Sequence, residues 1–306
     1  MKFFALPAIA AFSILSMGAA APTATPGKYH KPIEIERQWR HYHPGKINFQ
    51  ITSPETEGAK IYTRIVTDPD SYITDNARRV LQTLYFTPGD SIPDIRVIDY
   101  VVRDFDGISY KSGGGDNVRI DYSTDWIEKS FNNNDTLKLD YETRGVIYHE
   151  LTHAFQLEPK GCGTYDGKSP YWSFIEGTAD AVRVACGCFE QDFASNDRPR
   201  GGNWMSGYRI TGYFLYWLSQ NKDKDFIRKF NRTALDVVPW SWDEAMYHIL
   251  GRDEKNSVAS LWDEYMASIG DDRDKASYAK AEADKTADKG ARKGKRGRGG
   301  KRGEKK

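Results

Sequence analysis

Apolar and polar residues alternate at period two over Ile47–Ile51, the pattern of a half-buried strand. Between Tyr72 and Phe86 the apolar positions Ile73, Val80, Leu81 and Leu84 fall on one helical face, which stops before the breaker Pro88-Gly89. Ile95–Val102 and Gly107–Tyr110 read as strands. Ser112-Gly-Gly-Gly-Asp116 is a turn, and Val118–Tyr122 alternates again, which predicts a hairpin. After Asp140 the period becomes helical. Tyr141–Leu157, Phe174–Cys186, Met205–Gln220, Lys224–Asn231, Trp242–Leu250 and Val258–Ser268 are the expected helices, joined by Gly, Pro, Asn and Asp. Strands and one helix first, then helices only, predict an α+β arrangement with a mainly helical second half.

The two ends of the 306-residue chain do not share this patterning. Residues 1–20 carry Lys2, an apolar run and then small residues, the layout of a secretory signal peptide. The run is too short for a membrane span, and no later stretch approaches one. The chain is therefore expected to be secreted and extracellular. Residues 285–306 hold 11 Lys/Arg against 2 Asp/Glu and have no large apolar side chain. Because the whole chain has a net charge of +1, everything before this stretch is acidic, at about −8. Such a tail cannot bury enough apolar surface to fold alone. The expected organisation is a signal peptide over 1–20, an extended segment over 21–44, one folded domain over 45–270 and a disordered basic tail over 271–306. The tail's charge would give weak electrostatic binding to polyanions.

Export changes how the cysteines and asparagines are read. In an oxidising compartment Cys162 is expected to pair with Cys186 or Cys188, since Cys186 and Cys188 are separated only by Gly187 and would close a strained ring. Asn134-Asp-Thr136 and Asn231-Arg-Thr233 are glycosylation sequons.

The chemistry lies in Tyr148-His-Glu-Leu-Thr-His153. On a helix His149 and His153 project from one face, so two imidazoles reach one ion. Glu150 is rotated about 100° from His149, placed to hold a water rather than to bind the metal. Val146, Ile147, Leu151 and Phe155 can anchor this helix in a core. A catalytic Zn2+ usually takes three protein ligands and keeps one open position. Phe174-Ile-Glu-Gly-Thr-Ala-Asp180 supplies the candidate third ligand, Glu176, with Asp180 one turn later to accept a hydrogen bond from a ligand histidine. Ser173-Phe-Ile-Glu176 could alternatively be a capping box, with Glu176 serving only the backbone.

These motifs resemble those of the basic secretory proteins, a family of plants, fungi and bacteria regarded as zinc peptidases. The resemblance is carried by His149-Glu-Leu-Thr-His-Ala-Phe-Gln156, by Trp172 with Glu176-Gly-Thr-Ala-Asp180 and Arg183, by Gly207-Tyr-Arg-Ile-Thr-Gly-Tyr-Phe-Leu215 and by Ser260-Leu-Trp-Asp-Glu-Tyr265. It implies a zincin-like metallopeptidase fold, with His149, His153 and Glu176 at the family's metal positions and Glu150 at that of its base. An edge strand would then run past the metal and take an extended peptide or protein substrate. Val118–Tyr122 is expected to be that strand. The acidic core, the basic tail and the three cysteines depart from the family's pattern.

Peptide hydrolysis also needs a donor for the developing oxyanion. Tyr208 is the candidate, although Tyr208, Tyr213, Phe214 and Trp217 also form an aromatic face of the kind that fills cores. His248 is an alternative donor, and His41 and His43 read as surface residues. A non-catalytic, zinc-stabilised extracellular protein adhering to cell-wall polymers is the rival reading. Glu150 argues against it, because a purely structural site has no use for a base.

Overall fold

The computed structural model describes residue 29 and residues 31–131, 135–195 and 197–269. The expected signal peptide, the sequon at Asn134 and the basic tail lie outside these residues. Four strands form one mixed sheet: β1 (Lys46–Ile51), β2 (Val97–Arg103), β3 (Ser109–Gly114) and β4 (Asn117–Ser123). Their order is β1-β2-β4-β3, with β1, β2 and β4 parallel and β3 antiparallel to β4. Helices α1 (Glu57–Ile65), α2 (Pro69–Leu84) and α3 (Thr124–Ser130) are interleaved with the strands. The rest is helical: α4 (Thr136–Phe155), α5 (Pro170–Ala185), α6 (Glu190–Ala194), α7 (Tyr208–Asn221), α8 (Phe226–Asp236), α9 (Trp242–Leu250) and α10 (Val258–Ser268). The fold is thus α+β, as the change of period at Asp140 predicts.

One expectation about the sheet is corrected. Val118–Tyr122 is not an edge strand, because β4 is paired on one side with β2 and on the other with β3. A strand with Val118, Ile120 and Tyr122 all buried is suited to the interior of the sheet, and the short, glycine-ended β3 takes the edge. Tyr122 faces the helices, its ring edge-on to Tyr62 of α1 and its hydroxyl 3.4 Å from Thr143 Oγ1 of α4.

α4 runs through the middle of the molecule. Val146, Ile147, Tyr148, Leu151 and Phe155 are all buried, so apolar surface surrounds much of its circumference, as expected of a core helix. Asp135 caps its start by accepting from Lys138 N at 3.0 Å. At the far end Tyr85, the residue that caps α2, donates to Phe155 O at 2.6 Å, and Gln156 N closes the last turn on Thr152 O at 2.7 Å. The segment before β1 is packed rather than loose: Trp39 is fully buried, and α2 grips the chain through Arg79 Nε to Ile33 O and Gln82 Nε2 to Glu34 O.

The expected disulfide is also corrected, since Cys162, Cys186 and Cys188 are all free. Cys162 lies before α5, its carbonyl accepting from Tyr171 N, whereas Cys186 caps the other end. A 16-residue helix holds these ends about 24 Å apart, far beyond the reach of a disulfide. Cys186 Sγ sits 3.5 Å from Thr83 Oγ1, and Cys188 faces the carbonyl of Tyr141. Burial pushes both of these thiols up to about 12. The second sequon fares no better. Asn231 is completely buried, accepts from Leu157 N and donates to Leu84 O, so its amide has no room for a glycan.

Candidate metal centre

The centre is assembled from two helices that cross near its middle. α4 carries His149 and His153 on one face, and α5 brings Glu176 and Asp180 against them. α5 begins with Ser169 as N-cap, accepting from Trp172 N at 3.1 Å, and with Pro170 in its first turn. Ser173 therefore lies inside the helix and its hydroxyl donates to Pro170 O, which removes the capping-box role considered for Glu176. Glu176 is 1 % exposed and turns inward.

Its depth requires α5 and α7 to touch almost backbone to backbone. A Cβ on Gly177 would fall 2.3 Å from Thr211 Cγ2, so only glycine fits at that crossing. α7 is entered through Gly207, whose φ of +68° and contact with the Trp172 ring leave no space for a side chain. This turn delivers Tyr208, itself at φ +43°, over His149, where the two rings stack 5.9 Å apart. Tyr213, Phe214 and Trp217 go into the core, as the aromatic-face reading has it, but Tyr208 does not share their burial.

The donor atoms converge. His149 Nε2 and His153 Nε2 lie 3.0 Å apart, and Glu176 Oε2 is 3.2 Å from the first and 3.7 Å from the second. Among the described residues no other three His, Cys, Asp or Glu side chains cluster in this way. The far nitrogens are held as well. His149 Nδ1 donates to Asp180 Oδ1 at 2.8 Å, and Arg183 lies 3.5 Å from that same oxygen. His153 Nδ1 is 3.0 Å from the Gln156 amide, whose Oε1 otherwise has no partner. Exchanging that amide's nitrogen and oxygen, which have the same shape, makes Oε1 the acceptor for Nδ1–H. Both rings then keep Nδ1–H and turn an Nε2 lone pair towards Glu176.

Two lone pairs and a carboxylate oxygen at these separations repel unless a cation lies among them. Glu176 Oε2 has no hydrogen bond directed at it despite being buried. Tetrahedral zinc with nitrogen ligands spaces its donors about 3.3 Å apart, close to the distances seen. The electrostatics agree with the geometry. Burial opposes charge on His149, yet Asp180 and Glu176 outweigh it and lift its pKa to about 10. Burial would likewise raise Glu176, but the two rings hold it well below the usual carboxylate range. The pocket attracts positive charge, and a divalent ion meets that demand with both rings neutral. The donor set therefore fits zinc.

Glu150 sits beside this set without joining it. It is 6 % exposed, and burial raises its pKa against the pull of both histidines. Ser109 of the edge strand β3, whose hydroxyl donates to Asp121 O at 2.7 Å, is close enough to favour its charged form, so Glu150 and the open edge are neighbours. Tyr165, not singled out by the sequence patterning, donates to Glu176 Oε1 from the loop between α4 and α5. Burial, then the Glu176 carboxylate and Tyr208, push the Tyr165 hydroxyl far above its ordinary value, so it stays protonated. Its only signal in the sequence is position, between the two metal motifs. His248 pairs with Asp236, 3.6 Å away, and has no part in the centre, and His41 and His43 are exposed.

A family model, BSP, described as a peptidase of plants and bacteria, matches residues 44–265. The chain belongs to this family. As a member of the BSP peptidases, it carries the converging side chains of α4 and α5 well inside the matched region. The match is to the family that the sequence resembles. No curated protein and no solved structure matches the chain.

Proposed function

We propose that this member of a peptidase family is a secreted, zinc-dependent peptidase of zincin-like fold, with Zn2+ held by His149, His153 and Glu176. The observation that carries the reading is the approach of two Nε2 lone pairs and an unpartnered buried carboxylate oxygen within 3.0–3.7 Å, next to a carboxylate that makes no contact with them. When bound, the ion would polarise the scissile carbonyl and acidify a water. Glu150 takes the proton of the attacking water, which its raised pKa favours, and returns it to the leaving amine. Tyr208, stacked on His149, would donate to the carbonyl oxygen as it becomes negative, and Tyr165 would join it by turning its hydroxyl away from Glu176 Oε1. An extended peptide would add to the open edge of β3, beside Ser109 and Glu150. Secretion rests on the leader-like residues 1–20.

The decisive experiment pairs metal analysis of the purified protein with digestion of a peptide library. One zinc per chain is expected, with cleavage abolished by a chelator and restored by zinc. Glu150→Gln should keep the metal and the fold while losing about 10²–10⁴-fold in turnover. Full metal occupancy in His149→Ala, or parental turnover in Glu150→Gln, would overturn the reading.

A further inference from the structure

The edge strand holds a charge that its own protein does not neutralise. Residues opposite one another in an antiparallel pair share a face of the sheet. Ser109 is opposite Tyr122, Lys111 opposite Ile120 and Gly113 opposite Val118. Tyr122, Ile120 and Val118 are buried on the helix side, so Ser109 and Lys111 also look towards α4. Tyr110 looks the other way, where it meets Arg103 and lies opposite Asp121. Lysine on an edge strand ordinarily points into solvent and guards the edge. Lys111 is instead half-buried over the catalytic end of α4.

Among the described residues Lys111 has no carboxylate within salt-bridge distance. Its nearest negative charges, Glu158 beyond the end of α4 and Glu150, act on it only at longer range, and burial lowers its pKa in spite of them. Partial desolvation of an unpaired ammonium is unfavourable unless an anion arrives to compensate. The anion must come along the edge, because that side of β3 has no strand partner.

We propose that Lys111 selects peptide substrates carrying an acidic side chain, aspartate or glutamate, at the position that pairs with it across the open edge of β3. The proposal rests on the peptidase reading and narrows it to a substrate class. Glu150 lies beside Ser109, so the scissile bond lies close to the substrate residue facing Ser109. Strand geometry then puts the acidic residue two positions away on the same face, one face-sharing step along the peptide. Directly opposed side chains have Cβ atoms about 5 Å apart, within reach of a lysine–carboxylate pair. The Lys111 ammonium also repels lysine or arginine at that substrate position, which adds rejection to attraction.

The test uses zinc-loaded full-length protein and internally quenched peptides in which glutamate, glutamine or lysine is walked through the residues flanking the cleaved bond. At one position glutamate should give about tenfold higher kcat/KM than lysine, through KM more than kcat, and the preference should shrink with added salt. Lys111→Glu should reverse the preference at that position alone, and Lys111→Gln should level it. An unchanged charge profile in Lys111→Glu would overturn the proposal while leaving the peptidase reading intact. An equal fall in kcat for every peptide would also overturn it, because it would mean that Lys111 serves only to position Glu150. A second measurement follows binding of fluorescent glutamate and lysine peptides to Glu150→Gln protein, with and without Lys111→Gln. Charge-selective binding that depends on Lys111, with no cleavage by the parent, would support the proposal and sink the peptidase reading. Binding indifferent to Lys111 would refute the proposal whatever the turnover.

Discussion

Asp180 Oδ1 accepts from His149 Nδ1 at 2.8 Å, and this bond fixes which nitrogen of the ring is left to bind an ion. Asp180→Asn should therefore weaken zinc affinity about 10–100-fold, measured by competition with a chelator of known affinity. An unchanged affinity would reduce Asp180 to a partner of Arg183. Tyr165→Phe leaves the ring in place and removes the donor to Glu176 Oε1. It should retain the metal and lose about 10²–10³-fold in kcat, as removal of one oxyanion donor does. Loss of zinc with unaltered kcat in the fully reloaded variant would show that Tyr165 only steadies the ligand. These residues differ in how far they could be read in advance. His149, His153, Glu176 and Asp180 lie at helical spacings, and periodicity alone aligns each pair on one face. Tyr165 comes from a loop whose path depends on Gly161, Gly163 and the packing around Ser169, none of which has a period. Lys111 falls just past the strand expected over Gly107–Tyr110, and which way it faces is set by the register with β4.

At the scale of elements, the long amphipathic helices were legible and their ends were not. α9 and α10 fall where periodicity puts them, whereas α4 starts five residues before Tyr141 and α8 runs five beyond Asn231. The extra turns are set by capping, from Asp135 in one case, and by packing of Thr233 and Ala234 in the other. α1 and α3 were missed because they are short, nine and seven residues, and stand on caps at Thr56 and Ser123 rather than on a long apolar stripe. Strand order was beyond any local pattern: alternation shows that Val118–Tyr122 has a buried face but not that both its edges are paired. The crossing of α5 with α7 gives a prediction at this scale. Gly177→Ala forces a Cβ to within 2.3 Å of Thr211 Cγ2 and should cost about 1–3 kcal/mol by urea denaturation. Because Glu176 is the adjacent residue, zinc affinity should fall with it.

For the molecule as a whole, the placement of the cysteines has a simple readout. Three thiols should react with a thiol reagent once the protein is unfolded without reductant, and reductant should leave Tm unchanged. A lowered Tm in reductant would show that a disulfide forms by rearrangement of α5. One further property follows from the open edge of β3. A strand that must stay available to an extended peptide cannot be covered by a helix or closed into a barrel, the usual protections against unwanted pairing. Its six residues, Ser109–Gly114, are short, end in glycines and include Lys111, features that make a poor template for a second copy of the same strand. Receptiveness and solubility are thus in tension on one stretch of backbone. In a crowded solution the edge proposed to receive a substrate is where two molecules of the protein would first adhere, and a variant that made β3 longer or more apolar would trade shelf life for grip.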